Sequence, residues 1–215
     1  MIKKLKLGFV IIRDSILNLF LKTELHYIVE PGDWVIRSEG KQIINELKKT
    51  YKMKCKLTSS TIFMKSKIVI YGSINSLLSK HAIIKKNKIN VLTLYHIVDK
   101  NPKIKKILKH QDKINIFHTA CEITKKKLIK LGIPKEKIIL IPEGIDLKAF
   151  NPKIESIKEK LKLPKDHIII GSFQKDGVGW DEGLKPKMEK GPDILIEAIE
   201  GISKKVKVHI LHRAV

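Results

Sequence analysis

Apolar positions along the chain follow two rhythms. The first is a set of short, continuous runs rich in Ile and Val: SKIVIYGS (66–73), INVLTLYHIV (89–98), INIFHTAC (114–121), KIILIPEGID (137–146), HIIIGSF (167–173) and KVKVHILH (205–212). Unbroken β-branched runs predict strands buried on both faces, as in a parallel sheet. The second rhythm is helical spacing, seen in EITKKKLIKLG (122–132), IESIKEKLKL (154–163) and MEKGPDILIEAIEGI (188–202). The helix over 122–132 is closed by Gly132 and Pro134, and Pro192 suits a first helical turn. DWVIRSEGKQIINELKKTY (33–51) reads as strand, turn and helix, with Ser38 as N-cap and Ile43, Ile44 and Leu47 as the apolar face. Strand–helix alternation of this kind predicts a doubly wound α/β architecture.

The pattern thins near residues 150–160. Five or so strands precede that point, enough for one Rossmann-like domain over 1–153, with 1–27 as an amphipathic helical lead-in. Residues 154–215 hold two strands and one principal helix, the first βαβ part of a second Rossmann-like domain. Such a unit leaves a sheet face and edges uncovered, so it is expected to be an incomplete domain.

Composition narrows the functional classes. The 215 residues are 43% hydrophobic, which supports a real core and excludes a disordered chain. Cys55 and Cys121 are the only cysteines and stand far apart, which excludes a disulfide scaffold and a zinc site of ordinary spacing. With no Asn-x-Ser/Thr sequon either, a reducing, cytoplasmic setting fits best. The N-terminus imitates a signal peptide, but its apolar run over 7–12 is cut by Arg13 and Asp14. No run has the length of a membrane span.

The net charge of +22 is large. Lys provides almost all of it and is spread along the whole chain, and only 6% of residues are aromatic. A nucleic-acid groove would add Arg and stacking aromatics, so nucleic acid is disfavoured as a partner. The main alternatives are a composition bias and a membrane surface, the latter placing the protein at the inner face of the cytoplasmic membrane, with a basic nucleic-acid-binding protein kept as a rival reading.

Doubly wound sheets bind ligands beyond the C-terminal ends of their strands, and three loops there carry candidate chemistry. In RSEGK (37–41), Gly40 stands before a helical pattern among donors that could face an anion. In IPEGIDLKAF (141–150), Glu143, Gly144 and Asp146 form a turn off a strand. The third is the long Gly- and Lys-rich loop after the 167–173 strand. It ends in Lys190–Gly191 at a helix start, where free N–H groups and a cation suit a phosphate or diphosphate. Each loop also has an ordinary structural reading, as a capped turn, a tight turn or a solvated lid.

TACEITKKKLIKLGIPKEKIILIPEGIDLKAFNP (119–152) resembles the "S…L…G…KI.VIPNGID…F.P" signature of the retaining GT-B glycosyltransferases of family 4. IGSFQKDGVG (170–179) with EKGPDILIEAI (189–199) is similar to that family's first C-domain strand, loop and "KGxxxLIxA" helix. The resemblance covers roughly the last 100 residues. It implies transfer of a sugar from a nucleotide-diphosphate sugar to a saccharide or lipid-linked acceptor, with retention, no cofactor and no metal. In the family the Lys of the KG motif binds the donor diphosphate, which points to Lys190 and Gly191. A second basic residue falls at Lys185, with Lys175 and Lys187 as alternatives. A catalytic-site His near a strand end of the N-terminal domain falls on His96, with His118 second. The family's Asn in "PNGID" is Glu143 here. The family's two downstream glutamates lie beyond this chain, so the 215 residues alone are expected to be poorly active.

Overall fold

The computed structural model describes residues 2–212 apart from 33–34, 80–81, 98–100, 149, 152–157 and 174–187. The chain divides into two compact units, residues 1–145 and 146–215.

The first unit is built on six parallel strands: β1 (Leu25–Ile28), β2 (Cys55–Thr58), β3 (Ile68–Tyr71), β4 (Ile89–Thr93), β5 (Ile116–Thr119) and β6 (Ile138–Leu140). Their order is β2-β1-β3-β4-β5-β6, so the chain reverses its direction of travel across the sheet between β1 and β3. The helices of this unit are α1 (Ile2–Phe20), α2 (Val35–Tyr51), α3 (Ile74–Leu77), α4 (Pro102–Leu108) and α5 (Glu122–Lys130).

Alternation along β1 separates two cores. Leu25, Tyr27 and Val29 pack with Ile44 of α2 and Cys55 of β2, flanked by Ile36, Ile43 and Leu47. Ile28 belongs to the larger core with Val69, Leu92 and Phe117 from the sheet, Leu77 from α3, Ile107 from α4 and Leu128 from α5. Every strand side chain of β1 is buried, as expected of a parallel strand covered on both faces.

The sequence misleads at two places. Residues 35–36 open α2 rather than a strand, and Ser38 lies inside that helix rather than capping it. Residues 25–27, read as part of a helical lead-in, belong to β1, an inner strand between β2 and β3.

α1 is inverted relative to an ordinary surface helix. Among its described side chains the buried ones are Asp14, Ser15 and Asn18, while Leu7, Val10 and Ile11 are half-buried. Asp14 Oδ2 accepts from Ser59 N at 2.7 Å, and its other oxygen pairs with Arg13 at 2.8 Å. Ser15 Oγ lies 2.7 Å from Ser60 Oγ. Asn18 Nδ2 donates to the Ser60 and Ile62 carbonyls at 2.9 and 3.1 Å, and Asn18 Oδ1 accepts from Lys56 Nζ at 2.9 Å. The helix is thus held by a satisfied polar network, which is the condition for burying such groups at tolerable cost.

Part of the lysine excess works inside the fold. Lys127 Nζ donates to Ile97 O, and Lys137 Nζ donates to Gln111 O and Ile114 O. Long ammonium side chains can cover apolar surface while satisfying loop carbonyls.

The second unit pairs β7 (Ile168–Ser172) with β8 (Val208–His212) in parallel, joined through α6 (Pro192–Ser203). Ile168, Ile194, Ile196 and Ile210 stay exposed. A two-stranded sheet with one helix has too few elements to cover its own faces.

His26 sits in β1, fully buried, with its ring 2.8 Å from Ser66 Oγ. Burial first, then the charges of Lys56 and Lys88, lower its pKa to about 4. Its ordinary value is 6.5, so between those pH values the unfolded chain binds the extra proton. Stability is therefore complete above pH 6.5 and falls as pH drops toward 4. The loss is of the order of 3 kcal/mol if this site dominates. Urea titrations across that range should show the fall, and His26→Gln should flatten it. An equal pH slope in the variant would assign the effect elsewhere.

Candidate functional site

All six strands of the first unit run the same way, so their C-terminal ends share one edge. The loops after β1, β3, β4 and β6 therefore lie along that edge, and the reversal between β1 and β3 is the kind of switch point at which doubly wound sheets place a ligand crevice.

After β1 the chain turns through Glu30, Pro31 and Gly32, the last at φ 136°, a conformation that favours glycine. Arg37, on the first turn of α2, fastens this turn. Its Nε donates to Gly32 O at 2.7 Å, and its terminal nitrogen donates to Glu30 O at 3.2 Å and Ser59 Oγ at 2.9 Å. Arg37 is thus committed to the protein's own carbonyls. The Glu30 carboxylate accepts from Ser73 Oγ at 3.0 Å, which joins the ends of β1 and β3.

Gly40 is a correction to the reading of RSEGK as an anion-facing turn. It lies within α2 and is buried. A Cβ there would come within 2.8 Å of both Leu57 Cδ1 and Tyr27 Cδ1. Its role is to let α2 approach the sheet, and it offers no free N–H to a ligand. Gly72, at the end of β3, closes on the same ring: a Cβ would stand 2.6 Å from Tyr27 Cε1.

His96 is exposed and follows β4 by three residues. The backbone around it is tied down on both sides. Tyr95 O accepts from Thr124 Oγ1 at 3.2 Å, and Ile97 O accepts from Lys127 Nζ at 3.0 Å. The Tyr95 hydroxyl donates to the Glu39 carboxylate of α2. Burial, then that hydrogen bond, raises the Tyr95 phenol far above its ordinary pKa, so it remains a donor at any working pH. His96 is thus an accessible imidazole on a braced turn, the kind of support a positioned acid, base or hydrogen-bond donor needs.

His118 is engaged differently. From β5 its ring reaches Thr93 Oγ1 on β4 at 3.3 Å and Ile141 O after β6 at 3.0 Å. It straps the ends of three neighbouring strands together and sets the path of the segment leading to Glu143 and Gly144. Glu143 and Gly144 are exposed. A Cβ at Gly144 would meet no atom within 4 Å. Asp146 Oδ1 accepts from Lys148 N at 2.9 Å, and Asp146 O accepts from Phe150 N at 2.7 Å, so this residue shapes the following turn.

In the second unit, a 3-10 turn over Met188–Lys190 leads through Gly191 into α6. Gly191 is the N-cap, at φ 65°, where a side chain would be strained. Being glycine, it supplies no capping oxygen. Leu195 N bonds back to Gly191 O at 3.0 Å, and the first helical residue, Pro192, has no N–H. The uncapped amides of the first turn and the exposed Lys190 therefore adjoin each other, a combination that attracts anions. Lys175, Lys185 and Lys187 lie outside the described residues. No group of three or more His, Cys, Asp or Glu side chains that could hold a metal ion occurs among the described residues.

A parallel sheet of this order, followed by a β7–α6–β8 unit, invites comparison with known proteins. No family model matches the chain. A 95-residue stretch is 30% identical to D-inositol 3-phosphate glycosyltransferase of Xylanimonas cellulosilytica. The chain is glycosyltransferase-like. The matched stretch takes in 39% of this chain and 20% of that protein, so the chain spans about a fifth of the curated relative it matches. Anabaena HepE, crystallised in complex with UDP and glucose, superposes with a TM-score of 0.52 over 90% of this chain and 70% of that one, at 10% identity. That likeness is one of fold, and it bears out the Rossmann-like α/β class expected from the strand–helix rhythm.

Sequence reasoning missed Glu30, Ser73, Glu39 and Tyr95, the residues that brace the crevice. The Pro31–Gly32 pair was the available signal, since Pro-Gly punctuates a turn before a helix.

Gly40→Ala tests the packing role directly. On an exposed helix face the change would stabilise by about 1 kcal/mol. Here the added methyl collides with Tyr27 and Leu57, and a loss of roughly 1–3 kcal/mol is expected in denaturant titrations. A gain in stability would return Gly40 to a solvent-facing turn.

Proposed function

We propose that the chain is a glycosyltransferase of the retaining, GT-B, family 4 kind that engages a nucleotide-diphosphate sugar through the N-terminus of α6. The observation that carries this reading is the Lys190–Gly191 junction, where a left-handed glycine N-cap leaves the first-turn amides open beside a lysine. The similarity to a named glycosyltransferase and the fold shared with a protein that holds UDP and glucose support it.

In this reading Lys190 and the amides after Gly191 hold the donor diphosphate. Departure of the nucleotide leaves negative charge on the diphosphate while the sugar ring becomes oxocarbenium-like. A fixed cation and a helix N-terminus aimed at the phosphates stabilise that charge without reorganising, so the chemistry calls for no metal. The second cation is Lys185, with Lys175 and Lys187 as alternates. The catalytic-site histidine of this reading is His96, on its braced turn after β4, and Glu143 and Gly144 are its nucleotide-side loop residues. The acceptor is a saccharide or a lipid-linked saccharide.

Calorimetric titration with UDP, GDP and their sugars tests the diphosphate site. Lys190→Ala should weaken nucleotide binding about 10- to 100-fold, the loss expected when a charge-assisted hydrogen bond is removed. Gly191→Ala should weaken it as well, through strain at φ 65°, with β7 and β8 left folded by circular dichroism. Nucleotide affinity that ignores both changes would remove the α6 terminus from the reading.

A further inference from the structure

α1 buries its polar side and shows its apolar side to solvent. Asp14, Ser15 and Asn18 face the protein, while Phe9 is 70% exposed, Ile12 61%, Ile16 51% and Phe20 75%. Residues 9, 12, 16 and 20 recur at three- and four-residue intervals, so they form one stripe along the helix, about 16 Å long at 1.5 Å per residue. Four large hydrophobes held in line are more than the scattered exposed Leu or Ile of an ordinary surface.

The helix cannot adjust by rolling. Turning the stripe inward would break the Asp14–Ser59, Ser15–Ser60 and Asn18–Ser60 hydrogen bonds and expel the stripe's polar counterpart. The loop that receives these bonds also presents an aromatic. Phe63 follows Ile62, whose carbonyl accepts from Asn18, and it is 57% exposed at φ 61°. A bulky residue in the left-handed region is uncommon and strained.

The charge of this segment is almost all of one sign in sequence. Lys3, Lys4, Lys6 and Arg13 fall within α1, and Lys22 follows just after it. The only acidic residue of the helix, Asp14, is buried and paired. An apolar stripe on a segment with a cationic excess in its sequence suits the boundary between headgroups and acyl chains of an anionic bilayer. No described helix is long and apolar enough to cross a membrane, which leaves lying in the interface as the available mode. A second copy of a chain with net charge +22 is a poor occupant, because the two faces would repel.

We propose that α1 is a membrane-docking helix that seats the Phe9, Ile12, Ile16 and Phe20 stripe in an anionic phospholipid surface. This surface stands independently of the nucleotide site. It would hold the chain where lipid-linked substrates reside, with the polar network fixing the angle of approach.

Co-sedimentation with vesicles of phosphatidylglycerol and phosphatidylcholine, beside pure phosphatidylcholine, tests this with the full chain. The substitution set Phe9→Gln, Ile16→Gln and Phe20→Gln removes apolar surface and leaves every charge in place. Binding to the anionic vesicles should fall at least tenfold in the variant, on the order expected when three large side chains stop inserting, while its melting temperature stays unchanged. Equal binding by variant and parent would mean that surface lysines alone account for adhesion, and the proposal would fail. It would also fail if light scattering showed a parent dimer that the substitutions dissolve, since the stripe would then be a self-interface. Single changes, Phe9→Gln and Phe20→Gln, serve if the triple variant does not fold, each expected to weaken vesicle binding in part.

Discussion

The seat of α2 against the sheet rests on one aromatic ring. Tyr27 projects from β1 into the space that Gly40 and Gly72 leave by having no side chains. A methyl at either glycine would overlap the ring, so the ring, the helix and the end of β3 are matched to each other at van der Waals distance. Much of the crevice follows from that contact. With α2 at this height, Arg37 reaches back to the Glu30 and Gly32 carbonyls, and Glu39 meets the Tyr95 hydroxyl across the sheet edge. The turn that carries His96 is thereby tied to α2 as well as to α5. Burial and the Glu39 charge push the Tyr27 phenol above its ordinary range, which keeps the ring neutral inside an apolar layer.

What the sequence made legible follows from burial symmetry. β3 to β5 are runs of β-branched and apolar residues because both faces of the sheet are covered there, and such runs stand out without knowledge of the fold. β1 and β2 do not stand out. LHYI carries His26, which is buried as a neutral ring, and CKLT carries Lys56, whose ammonium reaches Asn18. Both segments look polar in a linear pattern while their atoms are satisfied in three dimensions. The glycines divide in the same way. Gly191 was read correctly as a helix entry, because a glycine before a Pro-led helix is a local signal. Gly40 was misread, because the reason for it is the Tyr27 ring, thirteen residues earlier in sequence, and only tertiary contact reveals it.

The candidate site divides along a similar line. Lys190 and Gly191 were legible as the entry to α6 because a helix start is written in consecutive residues. His96 could be placed at a strand end, but its bracing by Thr124, Lys127 and Glu39 comes from three other parts of the chain. His118, the alternative, proves to be a strap between β4 and the segment after β6, a use that no spacing rule anticipates.

The polarity of α1 ties the charge of the chain to its shape. A helix with an apolar stripe is ordinarily explained by the core it faces. Here the core side is occupied by Asp14, Ser15 and Asn18, each with a hydrogen-bond partner in the 59–62 loop. Burying that many polar groups without partners would be costly, so their complete pairing argues that the orientation is the folded one rather than an accident of a loose terminus. The stripe on the outer side then needs its own physical reason. An apolar stripe on a segment rich in lysine supplies one, since burial of the stripe and attraction of the segment's positive charge act in the same direction at an anionic bilayer and in opposite directions at a second copy of this chain.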